Sequence, residues 1–209
     1  LLARNPTEAP AVCESLPRVF LARHGETAWT VTGQHTGHTD LPLTPRGEQN
    51  ARNLRKLIGN QAFTRVFVSP LLRTRQTCEL AGFADGAETL DDLLEWDYGD
   101  YEGKRTADIR RERPDWQLFR DGCPGGESPS DVAARADRVI ARVRQLPGDV
   151  LLFSSAHLFR VLAARWLGLE PTAGRYFLLG TATLSILGYE HTLNEPVLRL
   201  WNDDRHVRD

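Results

Sequence analysis

Arg23, His24, Arg73 and Glu95 are residues whose types and setting could move a phosphoryl group. His24 lies in Arg23-His24-Gly25-Glu26, an imidazole between a fixed positive charge and a turn-forming glycine. An imidazole nitrogen can attack phosphorus and hold the group covalently, splitting one difficult displacement into two easier ones. The transferred group spreads negative charge over its oxygens, so positioned cations supply much of the remaining catalysis. Arg23 and Arg73 suit that task because a guanidinium grips phosphate through two parallel N–H donors. Glu95, within Leu93-Leu94-Glu95-Trp96-Asp97-Tyr98, could protonate a leaving alkoxide and later take a proton from water. Singly, each residue also has a plain structural reading, because short motif matches recur by chance. A histidine after a strand, an arginine in the first turn of a helix and an acid in an acidic loop are all ordinary.

The elements that must position these side chains give them weight together. Arg18–Ala22 is a short apolar run opening into the glycine turn, which predicts a buried strand. A polar, glycine-rich loop follows, and Thr44-Pro45 then supplies an N-cap and first-turn proline. Ala51, Leu54, Leu57 and Ile58 make that helix's apolar stripe, and Gly59 ends it. Residues 65–68 predict a second strand, with Ser69-Pro70 as the next cap and Arg73 early in the following helix. Val132, Ala136, Val139, Ile140 and Val143 mark a long helix. After it come a strand at 150–153, a helix at 156–167, and late strands near 183–189 and 196–201. Strands alternating with helices imply an α/β fold with a largely parallel sheet. Ligands in such sheets sit beyond the carboxyl ends of the strands. Arg23-His24, the segment Ser69 to Arg73 and the segment Ser155 to Arg160 all follow predicted strands, so the fold would gather them at one edge.

The bulk numbers agree with one globular domain. The chain has 209 residues, 41 % apolar and 26 % charged, with a net charge of −2. That balance does not suggest a nucleic-acid or membrane surface, and no apolar run is long enough to span a bilayer. Lys56 and Lys104 are the only lysines, so the basic side chains are almost all arginine. Cys13, Cys78 and Cys123 are widely spaced and suggest neither a disulfide framework nor a metal site, which points to a reducing compartment, the cytoplasm. Residues 1–16 read as a flexible N-terminal arm and 17–209 as a single domain. Within it, 88–127 is irregular and rich in aromatics, acids and glycine, and is expected to be an inserted cap over the site.

The segment LARHGETAWTVTGQHTGHTDLPLTPRGEQNA resembles the first block of the histidine phosphatase superfamily, the phosphoglycerate mutase-like family. SPLLRTRQT, LLEWDYGDYEG and DGCPGGES resemble its later blocks in the same order. The resemblance spans residues 18 to about 202. It implies a three-layer α/β/α sandwich with a mostly parallel central sheet, and no metal or other cofactor. It also implies roles: His24 as phosphorylated nucleophile, Arg23 and Arg73 as phosphoryl ligands, and Glu95 as proton donor. Gln34, Thr36, Gly37 and Tyr98 would line the substrate pocket. Mutases of the family typically carry an asparagine after the first-block tryptophan and an ERHYG-type block around the acid. This chain has Thr30 and Glu95-Trp96-Asp97-Tyr98-Gly99, which favours a phosphatase. The details look most like the branch of sedoheptulose-bisphosphatase-like and broad acid phosphatases, so the expected partner is a small phosphorylated molecule, a sugar phosphate or bisphosphate.

One block departs from that branch. Its fourth strand ends in A-H-G-H-x-x-R, whose first histidine completes the phosphate pocket. Here the stretch is Ser154-Ser155-Ala156-His157-Leu158-Phe159-Arg160. Lining up Arg160 puts Ser155 in the catalytic slot and His157 on the second histidine, at the pocket rim. Shifting His157 into the slot would turn a side chain by roughly 200° about the helix axis. Ser155 offers a hydroxyl, or an N-cap, but no imidazolium charge, so a slowed phosphatase is expected. Arg160 is placed to reach a distal phosphate or a sugar hydroxyl. Two alternatives stand beside this reading: a phosphoglycerate mutase-type transferase and a non-catalytic phosphate-binding homologue.

Overall fold

The computed structural model describes residues 16–207, so the arm expected over 1–16 lies outside the described residues except for Leu16. Six strands form one sheet in the order β3-β2-β4-β1-β5-β6. They are β1 (Val19–Arg23), β2 (Arg65–Val68), β3 (Ala87–Thr89), β4 (Val150–Ser154), β5 (Leu184–Tyr189) and β6 (Pro196–Asp203). The pairs β1/β4, β2/β4 and β2/β3 are parallel, whereas β5 runs antiparallel to both β1 and β6.

Strand alternation decides the layers. Val19 and Leu21 of β1 and Val150 and Leu152 of β4 join one core cluster, with α6 (Pro129–Arg144) and α7 (Ala156–Trp166). Phe20, Ala22, Leu151 and Phe153 face the other way, with Leu54 and Ile58 of α2 (Pro45–Ile58) and Cys78 of α3 (Leu72–Leu80). Because side chains along a strand alternate faces, two continuously apolar strands become the floor of both layers. This is the three-layer sandwich.

The predicted caps differ in outcome. Thr44 Oγ1 accepts from Gly47 N at 3.0 Å, with Pro45 in the first turn, as expected. Ser69-Pro70 does not start α3: that helix begins at Leu72 after a Leu71 N-cap, and its side-chain cap is absent. The first-block loop contains a short helix, α1 (Ala28–Thr32), held by a capping box between Thr27 and Thr30, where only irregular chain was expected.

Of the segment 88–127, the first two residues belong to the edge strand β3. The remainder holds two 3-10 turns (Asp91–Leu93, Gly99–Tyr101), α4 (Thr106–Glu112) and α5 (Leu118–Asp121). Trp96, Tyr101, Trp116 and Phe119 are buried in the same cluster as α6 and α7. The indoles of Trp96 and Trp116 donate to the carbonyls of Glu127 and Gly122, both at 2.9 Å, which closes the segment on itself.

Close backbone contact sets where the nucleophile loop lies. A Cβ on Gly25 would come within 2.5 Å of the Gly47 carbonyl, at the start of α2. Glu26 ties the same two segments, its carboxylate accepting from Thr44 Oγ1 at 2.7 Å. Gly25→Ala is therefore expected to lower stability by about 1–3 kcal/mol, the usual cost of overpacking, and to slow turnover by displacing its neighbour. Thermal unfolding and phosphate release measured together check this.

Candidate active site

The carboxyl ends of β1, β2 and β4 are adjacent, with Arg23 opposite Ser154 in the ladder. His24 follows β1 directly, its amide donating to Ser154 O at 3.0 Å. Its ring is buried, and Nδ1 lies 2.8 Å from Gly25 O. Nδ1 must carry the hydrogen to bond a carbonyl, which leaves Nε2 as a free lone pair. Burial, then the charges of Arg73 and Arg23, hold His24 well below the usual imidazole range. The ring is thus neutral at physiological pH, the state a nucleophile needs.

Arg73 is fully buried and tied to the first-block loop. Nη1 donates to Thr39 O at 3.1 Å, and Nη2 to Thr36 O and Gly37 O at 3.0 and 2.9 Å. Arg23 donates from Nη1 to Leu179 O at 2.5 Å, and burial brings its guanidinium down to about 10, still charged. Among the described residues, Arg23 Nε, Arg73 Nε, Ser69 Oγ and Ser155 Oγ are buried without a hydrogen-bond partner. Buried polar atoms are nearly always paired, so such atoms around a strand-end histidine form a cradle for an anion.

Glu95 does more than the sequence suggested. Its carboxylate accepts from Trp96 N and Leu158 N at 2.9 Å and from His157 N at 3.0 Å. It therefore caps α7, while Ser155 occupies the N-cap position without using its hydroxyl there. The N-cap role foreseen for the Ser155 side chain falls to Glu95, because a carboxylate from a facing segment satisfies two of the helix's free amides at once. Arg135, on α6, holds that segment by donating to Leu94 O at 2.8 Å and Glu95 O at 3.3 Å. Glu95→Ala leaves these amides buried and unpaired, so a stability loss of about 1–3 kcal/mol should accompany an activity loss of about 10²–10⁴. Denaturant unfolding separates the first effect from the second.

Arg23, His24, Gln34, Thr36, Glu95, Tyr98 and His157 line one pocket of about 240 Å³. Gly37 is not on its wall: its amide is held by Glu102 at 2.9 Å and its carbonyl holds Arg73. A Cβ there would meet Trp96 O at 2.8 Å, so Gly37 acts through backbone packing and not through contact with the pocket. Arg73 and Ser155 also lie behind that lining. Arg160 opens on a neighbouring cavity, with Nε bonded to Gly174 O at 3.0 Å.

His157 sits at the rim, where Tyr98 Oη and Nδ1 are 2.5 Å apart. Burial holds Tyr98 well above its usual range and His157 well below its own, so the phenol donates to a neutral imidazole. The 3.9 Å approach of His157 Nδ1 to Glu95 is accordingly not an ion pair.

Sequence reasoning missed His35, which lines the same pocket and packs on Tyr98 with ring centroids 4.7 Å apart. Its place between Gln34 and Thr36 was the available signal. Thr106 also lines the pocket, from α4, where no motif marks it. Burial takes His35 from its ordinary 6.5 down to about 4. A folded value below the unfolded one means that stability is fully present above pH 6.5 and lost as pH falls toward 4. The loss should reach on the order of 3 kcal/mol for this group, and His24 and His157 act in the same sense. Urea unfolding at several pH values should show His35→Gln with a shallower decline than the parent.

A family model for the histidine phosphatase superfamily (branch 1) matches residues 19–204. The chain belongs to that superfamily. Among its relatives, an acid phosphatase of Mycobacterium tuberculosis is 40 % identical over 85 % of this chain and 89 % of its own length. A sedoheptulose 1,7-bisphosphatase of Saccharomyces cerevisiae is 39 % identical over 73 % of this chain and 68 % of its own. The solved structure of an open reading frame from Mycobacterium tuberculosis superposes with a TM-score of 0.85 at 39 % identity, covering 89 % of this chain and 97 % of the other. The six-stranded sheet with its flanking helices is thus a histidine phosphatase fold. Among the described residues, no helix is long and apolar enough to cross a membrane.

Proposed function

We propose that the chain is a metal-independent phosphomonoesterase acting through a phosphohistidine, on a sugar phosphate or bisphosphate. The observation that carries this is the neutral, buried His24, its Nε2 free beside Arg23 and Arg73. In the first step Nε2 attacks phosphorus, the ester P–O bond breaks, and Glu95, as general acid, passes a proton to the leaving alkoxide. In the second, water attacks the phosphohistidine, Glu95 takes the water's proton, and the P–N bond breaks to release phosphate. Arg23 and Arg73 neutralise the equatorial oxygens in both steps. Gln34, Thr36 and Tyr98 bound the substrate, with His157 and Arg160 toward its far end. The names of the acid phosphatase and sedoheptulose bisphosphatase relatives support this class of small phosphorylated substrate. The absence of disulfide-like cysteine spacing supports a cytoplasmic setting.

A probable phosphoglycerate mutase of Photorhabdus laumondii, 31 % identical over 84 % of this chain, keeps a transferase as the second reading. Phosphate release from sugar mono- and bisphosphates, run beside 3-phosphoglycerate, decides between them. Net inorganic phosphate from sugar esters is the expected result; isomerised phosphoglycerate without phosphate release would favour the transferase. No turnover of any ester would leave only the non-catalytic homologue.

A further inference from the structure

Glu95 both lines the catalytic pocket and caps α7, and a flexible side chain meets both demands only from a fixed backbone. Residues 94–98 belong to no helix or strand, so no regular ladder holds them. A pair from outside the segment's core does so: Arg135 on α6, and Glu127 just before that helix. Arg135 Nε and Nη2 donate to the two carboxylate oxygens of Glu127, each at 2.7 Å. Nη1 donates to Asp92 O and Leu94 O at 3.1 and 2.8 Å, and Nη2 also donates to Glu95 O at 3.3 Å. A guanidinium carries five N–H donors, and here each has an acceptor. Glu127 grips the other side of the acid. Its Oε2 accepts from Asp97 N, its amide donates to Asp97 O, and its carbonyl accepts from the Trp96 indole, all at 2.9 Å. Leu93 O is taken by Ser154 Oγ, at the end of β4, at 2.5 Å. Every residue from Asp92 to Asp97 is thus bonded to Arg135, Glu127 or Ser154. The Arg135 and Glu127 side chains are only 13 % and 20 % exposed, unlike the solvent-screened pairs that contribute little.

We propose that Arg135 and Glu127 are positioning residues for the acid, which hold Glu95 where its carboxylate reaches both α7 and the leaving oxygen of the substrate. The proposal rests on the phosphatase reading and adds the residues that make its proton transfer efficient. Neither residue lines the pocket, so their influence passes through the backbone of 92–97. Lysine in place of Arg135 would keep the charge, but three donors on one atom cannot span Glu127 and three separate carbonyls. The consequence is selective. When the ester P–O bond breaks, its electron pair goes to the leaving oxygen. An alkoxide needs the proton that Glu95 supplies, whereas p-nitrophenolate is a stable anion and departs without one. A displaced Glu95 therefore slows an alkyl ester far more than a p-nitrophenyl ester, while general loosening of the fold slows both alike.

The test compares kcat/KM for p-nitrophenyl phosphate with kcat/KM for the sugar phosphate that the parent hydrolyses best. This constant reports the step in which the leaving group departs, not the later hydrolysis of the phosphohistidine. Arg135→Lys is expected to lower the sugar-ester value at least about tenfold more than the p-nitrophenyl value. Glu127→Gln keeps the shape and an acceptor for Asp97 N but loses the charge that orients the guanidinium, so it should move the ratio in the same direction by a smaller factor. Arg138→Gln, on the same helix, breaks an exposed pair with the Asp92 side chain and should leave the ratio unchanged. Amide hydrogen exchange gives a readout independent of turnover. The His157 and Leu158 amides, which bond to the Glu95 carboxylate, should exchange at least about tenfold faster in Arg135→Lys, while the Ala163 amide deeper in α7 keeps its parental rate. Equal losses on both esters, an unchanged ratio in both folded variants, or unchanged exchange at His157 and Leu158 overturns the positioning role. A parent that releases phosphate from no alkyl ester overturns the phosphatase reading instead, and the exchange rates then decide whether the pair holds Glu95.

Discussion

His24→Ala is expected to bring phosphate release down to buffer background, a loss on the order of 10⁵ in kcat. The size follows from what the imidazole does in the proposed reaction. It forms the bond to phosphorus, so no neighbour can take over its part, and the remaining arginines can only bind. The geometry supports this: one ring nitrogen is spent on Gly25 O, and the other is held unprotonated by burial and two adjacent guanidinium groups. Labelled substrate, quenched rapidly, should leave acid-labile label on the parent protein and none on the variant. Retention of a hundredth of parental turnover by a folded His24→Ala protein would rule out the phosphohistidine route.

Ser155→His is the second large effect, and its sign is a gain. The slot at the end of β4 holds a hydroxyl that is fully buried and makes no hydrogen bond among the described residues. An imidazolium there would add a charged donor to the phosphoryl oxygens, worth on the order of 10²–10³ in rate. Ser155→Ala supplies the complementary measurement. Because the hydroxyl pairs with nothing among the described residues, its removal should alter stability by less than about 0.5 kcal/mol. If the hydroxyl meets the phosphoryl group, activity should nevertheless fall roughly tenfold. Steady-state kinetics and thermal unfolding on the two variants give all four numbers. An unchanged rate in both would remove Ser155 from the site.

Residues that repeat a local pattern were the legible ones. The strand–turn Val19 to Gly25, the Thr44-Pro45 cap and the stripe of α6 each carry their own structural signal within a few residues, and each forms as expected. Ser69-Pro70 carried the same cap signal and did not form one. The chain instead continues to Leu71, where the Thr74 hydroxyl reaches back to Ser69 O and Leu71 O. The short strand β3 was invisible because three residues at a sheet edge have no periodicity to read.

The site divides along the same line. Residue type and order alone pointed to Arg23, His24 and Arg73 as candidates gathered at one sheet edge, because strand ends in an α/β sheet converge, and to Glu95 as a candidate acid from the irregular segment. Tertiary structure decided what each one touches. Glu95 turned out to cap α7 in place of Ser155, and Gly37 to serve Arg73 rather than the pocket. His35, Thr106 and the cavity on which Arg160 opens emerged only from the packing of the 88–127 segment against α7 and the residues after it. These contacts join positions far apart in the chain, and no local sequence pattern encodes a distance between them. The sequence therefore named the candidate groups, and the packing set the pocket beside them.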